Sequence, residues 1–278
     1  MQIGVRLHDG EKLPLEELLP IIKNRGFKCG HLALTKSISE YSVGVPALTP
    51  GLAMYLRRLF AENCIDIAVL GCYLNLCTPD EEALAVNVEK YKAHIRFASH
   101  LGCGVVGTET GAPNKEYKYE PVCHTEEALE LFIKNLRPIV EYAEKMGVIF
   151  AIEPVWKHIV STPQRARRVL DEINSPNLQI IFDPVNLLCY DNYNDRERIF
   201  DDAMTLLGKD IAVVHIKDFV VGENDLTSVA AGDGEMDYTK IISFIKKEKP
   251  FIHVSLENTN PSNAERSRML IQSIWDNA

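Results

Sequence analysis

Residues 148–154 read Val-Ile-Phe-Ala-Ile-Glu-Pro, an apolar, β-branched run that stops on a carboxylate and a proline. A short apolar stretch bounded by turn residues reads as a strand buried on both faces. Three later stretches repeat the form. Leu178–Pro184 ends Ile-Phe-Asp-Pro, Ile211–Lys217 ends Val-Val-His-Ile-Lys, and Phe251–Glu257 ends Ser-Leu-Glu. Four earlier runs complete the set: Ile3–Leu7, His31–Thr35, Asp66–Gly71 and Gly104–Thr110. Buried strands that alternate with helices make a parallel sheet. Eight such units fill the 278 residues with no linker or low-complexity segment, which predicts one (β/α)8 barrel domain over residues 1–278. An open doubly wound sheet is the alternative, but no Gly-x-Gly-x-x-Gly follows the first run.

The intervening segments carry helix signals. Thr49-Pro50, Thr78-Pro79 and Thr162-Pro163 each place a capping hydroxyl before a first-turn proline. Thr78 with Glu81 and Ser262 with Glu265 have the spacing of capping boxes, and Asn194 with Glu197 shares it. Leu84, Val88, Tyr91, Ile95 and Ala98 recur at helical spacing and predict one apolar face. Links from helix to strand are short: Gly26–Lys28, Gly102-Cys103 and Gly147 alone. Links from strand to helix are long: Lys36–Leu48, Gly111–His124 and Phe219–Met236. Long loops on one rim point to function on that rim, which in a barrel is the rim at the strand C-termini.

Lys plus Arg number 30 and Asp plus Glu 39, so the formal charge is −9. Nucleic acid and anionic membrane surfaces demand the opposite sign and are excluded as partners. The longest stretch without a charged residue, Tyr41–Leu56, contains Pro46, Pro50 and Gly51 and falls short of the roughly 20 apolar residues that span a bilayer. Arg6, Asp9, Glu11 and Lys12 interrupt the N-terminus, so no signal-peptide core is present. The seven cysteines are an odd number without a Cys-x-x-Cys, which reads as reduced thiols in a cytoplasmic protein.

Ionisable residues recur where the strands end: Glu109, Glu153, Asp183, His215 and Glu257. Side chains alternate along a strand, so residues at matching ends converge on the barrel mouth. Carboxylates crowded there repel one another unless a positive charge sits among them. Glu153, Asp183, His215 and Glu257 offer three carboxylates and one imidazole, a donor set for one divalent ion: Mn²⁺, Mg²⁺, Co²⁺ or Zn²⁺. Glu109 reads as a supporting or substrate-contacting carboxylate. His158 and Trp156 follow the fifth strand and are candidates for contacting a substrate hydroxyl and for walling the pocket. Lys217 faces the same way as His215, and Arg6 ends the first strand as a possible partner for an acidic substrate group. His8 is a weaker version of Arg6, while Tyr73 and Asn75 read as pocket lining. His31 and His253 read as structural residues low in their strands. Three carboxylates and a divalent ion leave one negative charge, which favours a small neutral or singly charged substrate.

These residues carry a resemblance. The order Glu, Asp, His, Glu on strands five to eight resembles the xylose isomerase-like superfamily of sugar isomerases and epimerases. The strings Ala-Ile-Glu-Pro-Val, Phe-Asp-Pro-Val-Asn-Leu-Leu, Val-His-Ile-Lys-Asp-Phe and Ala-Gly-Asp-Gly-Glu-Met-Asp match it as well. The resemblance implies one metal held by Glu153, Asp183, His215 and Glu257, with Glu153 and Glu257 moving a proton next to a carbonyl. The metal would stabilise the enediolate, and each positioned acid or base is worth about 10²–10⁴-fold. The implied partner is a small sugar or polyol, and barrels of this type often pair into homo-oligomers. Two departures stand out. The tagatose- and psicose-epimerase branch has a histidine three residues after its Asp, where this chain has Asn186. It has an arginine six residues after its ligand His, where this chain has Val221. Asn186 remains able to hydrogen-bond a sugar hydroxyl. The superfamily also holds inosose dehydratases, the rival reading, hydroxypyruvate isomerases, and AP endonucleases of the endonuclease IV type. The last need three zinc ions and further histidines; Asn186 replaces one, and Asp225-Leu226-Thr227 stands where Asp-x-His is expected. A barrel that only binds sugar is the non-enzymatic alternative, and the four filled ligand positions count against it.

Overall fold

Each of the eight apolar runs contributes to a strand of one closed parallel barrel, although the second strand begins at Cys29, two residues before the run His31–Thr35 would start it, and ends at Leu32. The computed structural model describes residues 1–278. The barrel strands are β1 (Gln2–Arg6), β2 (Cys29–Leu32), β3 (Asp66–Gly71), β4 (Val105–Glu109), β5 (Ile149–Glu153), β6 (Leu178–Phe182), β7 (Ile211–Ile216) and, after the hairpin strands β8 (Asp218–Val221) and β9 (Leu226–Val229), β10 (His253–Leu256). They neighbour one another in the order β1-β10-β7-β6-β5-β4-β3-β2 and close on themselves. The helices are α1 (Leu15–Asn24), α2 (Leu34–Ser37), α3 (Pro50–Glu62), α4 (Glu81–Leu101), α5 (Glu126–Met146), α6 (Pro163–Ile173), α7 (Arg196–Leu207), α8 (Thr239–Glu248) and α9 (Ala264–Asn277). This is the (β/α)8 barrel the sequence predicts.

The apolar stripes of the helices pack on the outside of the sheet and form the main core. On α4, Tyr91, Ile95 and Ala98 are buried, with Leu84 and Val88 packed against the core. A second, smaller core fills the barrel itself: Cys29, Ala68, Val69, Ala151, Ile181 and Val213. Small side chains dominate because the space is narrow. At Gly107 a Cβ would sit 2.6 Å from Ile181 Cδ1 and 2.7 Å from Val69 Cγ1, so no larger residue fits. Two residues further along the same strands the inward side chains change character. Cys29, Gly107, Ala151, Ile181 and Val213 are followed at that interval by His31, Glu109, Glu153, Asp183 and His215. Strand alternation thus stacks a polar layer directly on an apolar one.

Three local expectations are corrected. Thr49 and Thr162 cap α3 and α6 by accepting from Leu52 N and Arg165 N, but Thr78 does not cap α4. That helix begins later, and Asp80 accepts from Ala83 N instead, because its carboxylate stands three residues before that N–H. The boxes at Ser262 and Asn194 do not form either; α9 and α7 begin after Asn263 and Asp195 without a side-chain cap. The long segment after β7 is not all loop, since β8 and β9 pair antiparallel within it. Asp218 secures that hairpin: its buried carboxylate accepts hydrogen bonds from Phe219 N, Gly232 N and Met236 N.

Candidate metal centre

The ends of β5, β6, β7 and β10 bring Glu153, Asp183, His215 and Glu257 together, all buried, with donor atoms within 4.8 Å of one another. His215 Nδ1 lies 3.2 Å from Glu153 Oε1 and 3.1 Å from Glu257 Oε1. That is the spacing two ligands keep around one ion at metal–ligand bonds of about 2.1 Å. His31, His215 and Glu257 form an overlapping set with the same reach. His215 Nε2 and His31 Nδ1 are buried without a hydrogen-bond partner. The donors present therefore fit a divalent cation, and leave imidazole nitrogen to spare.

Supporting residues fix these groups. Asn186 Nδ2 donates to Glu153 Oε1 at 2.7 Å, and its backbone N–H donates to Asp183 Oδ1 at 3.1 Å. Lys217 is buried with Nζ 2.7 Å from Asp183 Oδ2 and 3.2 Å from Glu257 Oε2. Arg6 reaches Glu257 Oε2 at 3.4 Å while held by Asp9 at 2.8 Å. The electrostatics follow. Burial opposes charge on His215, but Glu153 and Glu257 outweigh it and raise the imidazole to about 9. Burial opposes ionisation of Glu257, yet Lys217, His215 and Arg6 hold it well below the usual carboxylate range. Lys217 is held firmly charged despite its burial, by Asp183 and Glu257. Burial pushes Asp183 up to about 6 against the pull of Lys217.

Above the cluster opens a cavity of about 360 Å³. Of the residues expected there, Arg6, Glu109, Glu153, Asn186, Lys217 and Glu257 line it, and Asp183 and His215 sit beneath. Glu109 lies level with Glu153 on the neighbouring strand and accepts a hydrogen bond from Tyr117 at 3.3 Å. Burial, and then the charge on Glu153, raise Glu109 to about 7. His158 does not reach the cavity; it packs behind Glu109 and Tyr117, and burial lowers it to about 4. Trp156 stands outside the lining, against Tyr119 and His124. Tyr73 and His8 line the cavity, whereas Asn75 holds the backbone of Ala112, Asn114 and Cys77.

His31 is a correction. β2 starts at Cys29, so His31 stands near its upper end and faces the cavity, 5.3 Å from the His215 ring. Tyr73 Oη and His31 Nε2 are 3.2 Å apart. The pair needs Gly71 between them, since a Cβ there would lie 2.5 Å from His31 Nε2. His253, as expected, is at the bottom, 3.1 Å from Asp66. Lys36, Tyr117, Ser228 and Asn258 also line the cavity. Lys36 comes from the single turn of α2, and the other three come from loops or the hairpin, where no periodicity announces an inward side chain. No helix is long and apolar enough to cross a membrane.

Comparison with known proteins adds the family. An uncharacterized protein of Methanocaldococcus jannaschii is 24% identical over 235 residues, covering 82% of this chain and 76% of its own. A crystal structure of a D-tagatose 3-epimerase-like protein superposes with a TM-score of 0.77 at 20% identity, over 99% of this chain and 97% of that one. The IOLI protein, solved with a binding zinc atom, gives 0.73 at 18% identity, over 100% and 99%. Likeness at these identities is one of fold. The description xylose isomerase-like TIM barrel fits residues 19–274, a span that takes in seven barrel strands and the whole buried Glu-Asp-His-Glu group. On that match the chain belongs to the xylose isomerase-like TIM barrel family.

Proposed function

We propose that this protein is a divalent-metal-dependent isomerase or epimerase of a small keto sugar or polyol. One observation carries the reading: four metal-competent side chains converge, buried, at the floor of a polar cavity in the barrel mouth. The zinc in the IOLI protein and the name of the tagatose epimerase-like neighbour agree with it. When bound, the ion supplies Lewis acidity toward a substrate carbonyl oxygen. Glu153 and Glu257 reach the cavity from opposite flanks of Asp183 and His215, so one takes the proton beside that carbonyl and the other returns it. Asn186 orients Glu153, and Lys217 and Arg6 keep Glu257 ionised. A second reading, loss of water, is favoured by Glu109. It is a third cavity carboxyl outside the metal group, and its raised affinity for a proton suits protonation of a departing hydroxyl.

The test is turnover of ketoses and 2-keto-inositols in heavy water by the Mn²⁺-loaded protein. Deuterium is expected at the carbon beside the carbonyl, and Glu153→Gln and Glu257→Gln are each expected to lower its incorporation about 10²–10⁴-fold. Retained exchange in either variant overturns the proton-transfer roles. Release of water with exchange selects the dehydratase.

A further inference from the structure

The cavity at the barrel mouth has an apolar neighbour. Lys36 and Tyr73 line both, and beyond them a second cavity of about 310 Å³ opens between the segments that follow β2 and β3. Its walls are largely hydrocarbon, from Leu34, Val43, Val45, Cys72 and Leu74. The Lys36 ammonium lies 5.9 Å from the Tyr73 ring centre, at the boundary between the two. Val45 and Lys90 continue into a shallow depression with Ala85 and Val86 on α4. There the apolar surface meets solvent, with Val45 39% and Val86 51% exposed. The three openings thus lie side by side, with Lys36 and Tyr73 forming the wall between the metal-competent cavity and its apolar neighbour.

The apolar neighbour explains a sequence feature that the catalytic reading leaves idle. The charge-free run Tyr41–Leu56 supplies Val43, Gly44 and Val45 to the annex. A bare sugar gains nothing from such walls and would lose water to them. Small-molecule sites instead match apolar walls to apolar ligand surface and reserve a few polar groups for orientation.

We propose that the substrate is amphipathic: a keto sugar whose polar ring occupies the barrel mouth and whose aryl or alkyl substituent lies beyond Tyr73 in the annex. The proposal rests on the keto-sugar reading above and adds the class of substituent. Tyr73, stacked on His31 with ring centres 5.9 Å apart, stands at the point where the two parts of such a ligand join.

The experiment is calorimetric titration of the Mn²⁺-loaded protein with the methyl and the phenyl glycoside of one 3-keto-hexopyranose, in which the ring ketone stays free while the anomeric carbon carries the substituent. The phenyl glycoside is expected to bind about tenfold more tightly or better. Val45→Asp, at a partly exposed position that tolerates a charge without unfolding, is expected to bring that ratio near one. Equal affinity of the two glycosides in the wild type overturns the annex and leaves the keto-sugar reading standing. A preference for phenyl that survives Val45→Asp also overturns it, because the aryl group then lies elsewhere. Binding of neither glycoside overturns the keto-sugar reading, and this proposal with it.

Discussion

The barrel interior holds two layers made by the same strands. The lower one, with Cys29, Val69, Ala151, Ile181 and Val213, is apolar and filled. The upper one, two residues on, has His31, Glu109, Glu153, Asp183 and His215, and opens on a cavity. One step of strand periodicity separates a layer that holds the fold from a layer of paired ionisable groups. Stability and chemistry are thus divided by height along each strand rather than by region of the chain.

The division can be tested by perturbing each layer. The largest stability effect is expected in the lower one. Ile181→Ala removes packing from a filled space and should cost about 3 kcal/mol in chemical denaturation, while metal content per folded chain is unchanged. A loss of metal with that loss of stability would mean the layers are not separable. The upper layer should reveal itself through pH. In chelator-treated protein the folded state holds His215 charged up to about 9, above its ordinary 6.5. This stabilisation is complete below pH 6.5 and lost as pH rises through 9. The melting temperature should fall between pH 7 and 9 for that reason, and the slope should shrink in His215→Asn. A wild-type profile without the fall would break the assignment. The smallest effect is expected at Gly71, the gap in the upper layer. Gly71→Ala forces His31 and Tyr73 apart and should cost about 1–2 kcal/mol. Its signature is a change in Tyr73 fluorescence or NMR shift without change at the lower layer.

The sequence made the metal group easy to read because each member ends an apolar run, where a charge is conspicuous. Glu153 after Ala-Ile and Asp183 after Ile-Phe needed only the alternation of a strand. His31 was obscured for a local reason. The run His31–Thr35 starts two residues after the strand's true beginning at Cys29, which sets the histidine too low. Tyr117, Ser228 and Asn258 reach the cavity from irregular or hairpin backbone, and Tyr117 and Asn258 do so with φ of 54° and 55°. Such conformations depend on what surrounds them, and no spacing rule anticipates them. Trp156 shows the converse. Its place just after β5 favoured the cavity, but Tyr119 and His124 provide an aromatic cluster on the other side of the loop, and the indole joins it.

The pairing of Lys217 with Asp183 and Glu257, and of Arg6 with Glu257, also bears on the order of events during the protein's synthesis. Lys217, Arg6 and protonated His215 supply countercharge to Asp183 and Glu257 from within the chain. A barrel mouth so supplied can close around its own side chains as soon as the last strand is made. Small zinc domains, by contrast, stay unfolded until their ion arrives. This barrel mouth carries its own countercharges, so its closure does not depend on an ion.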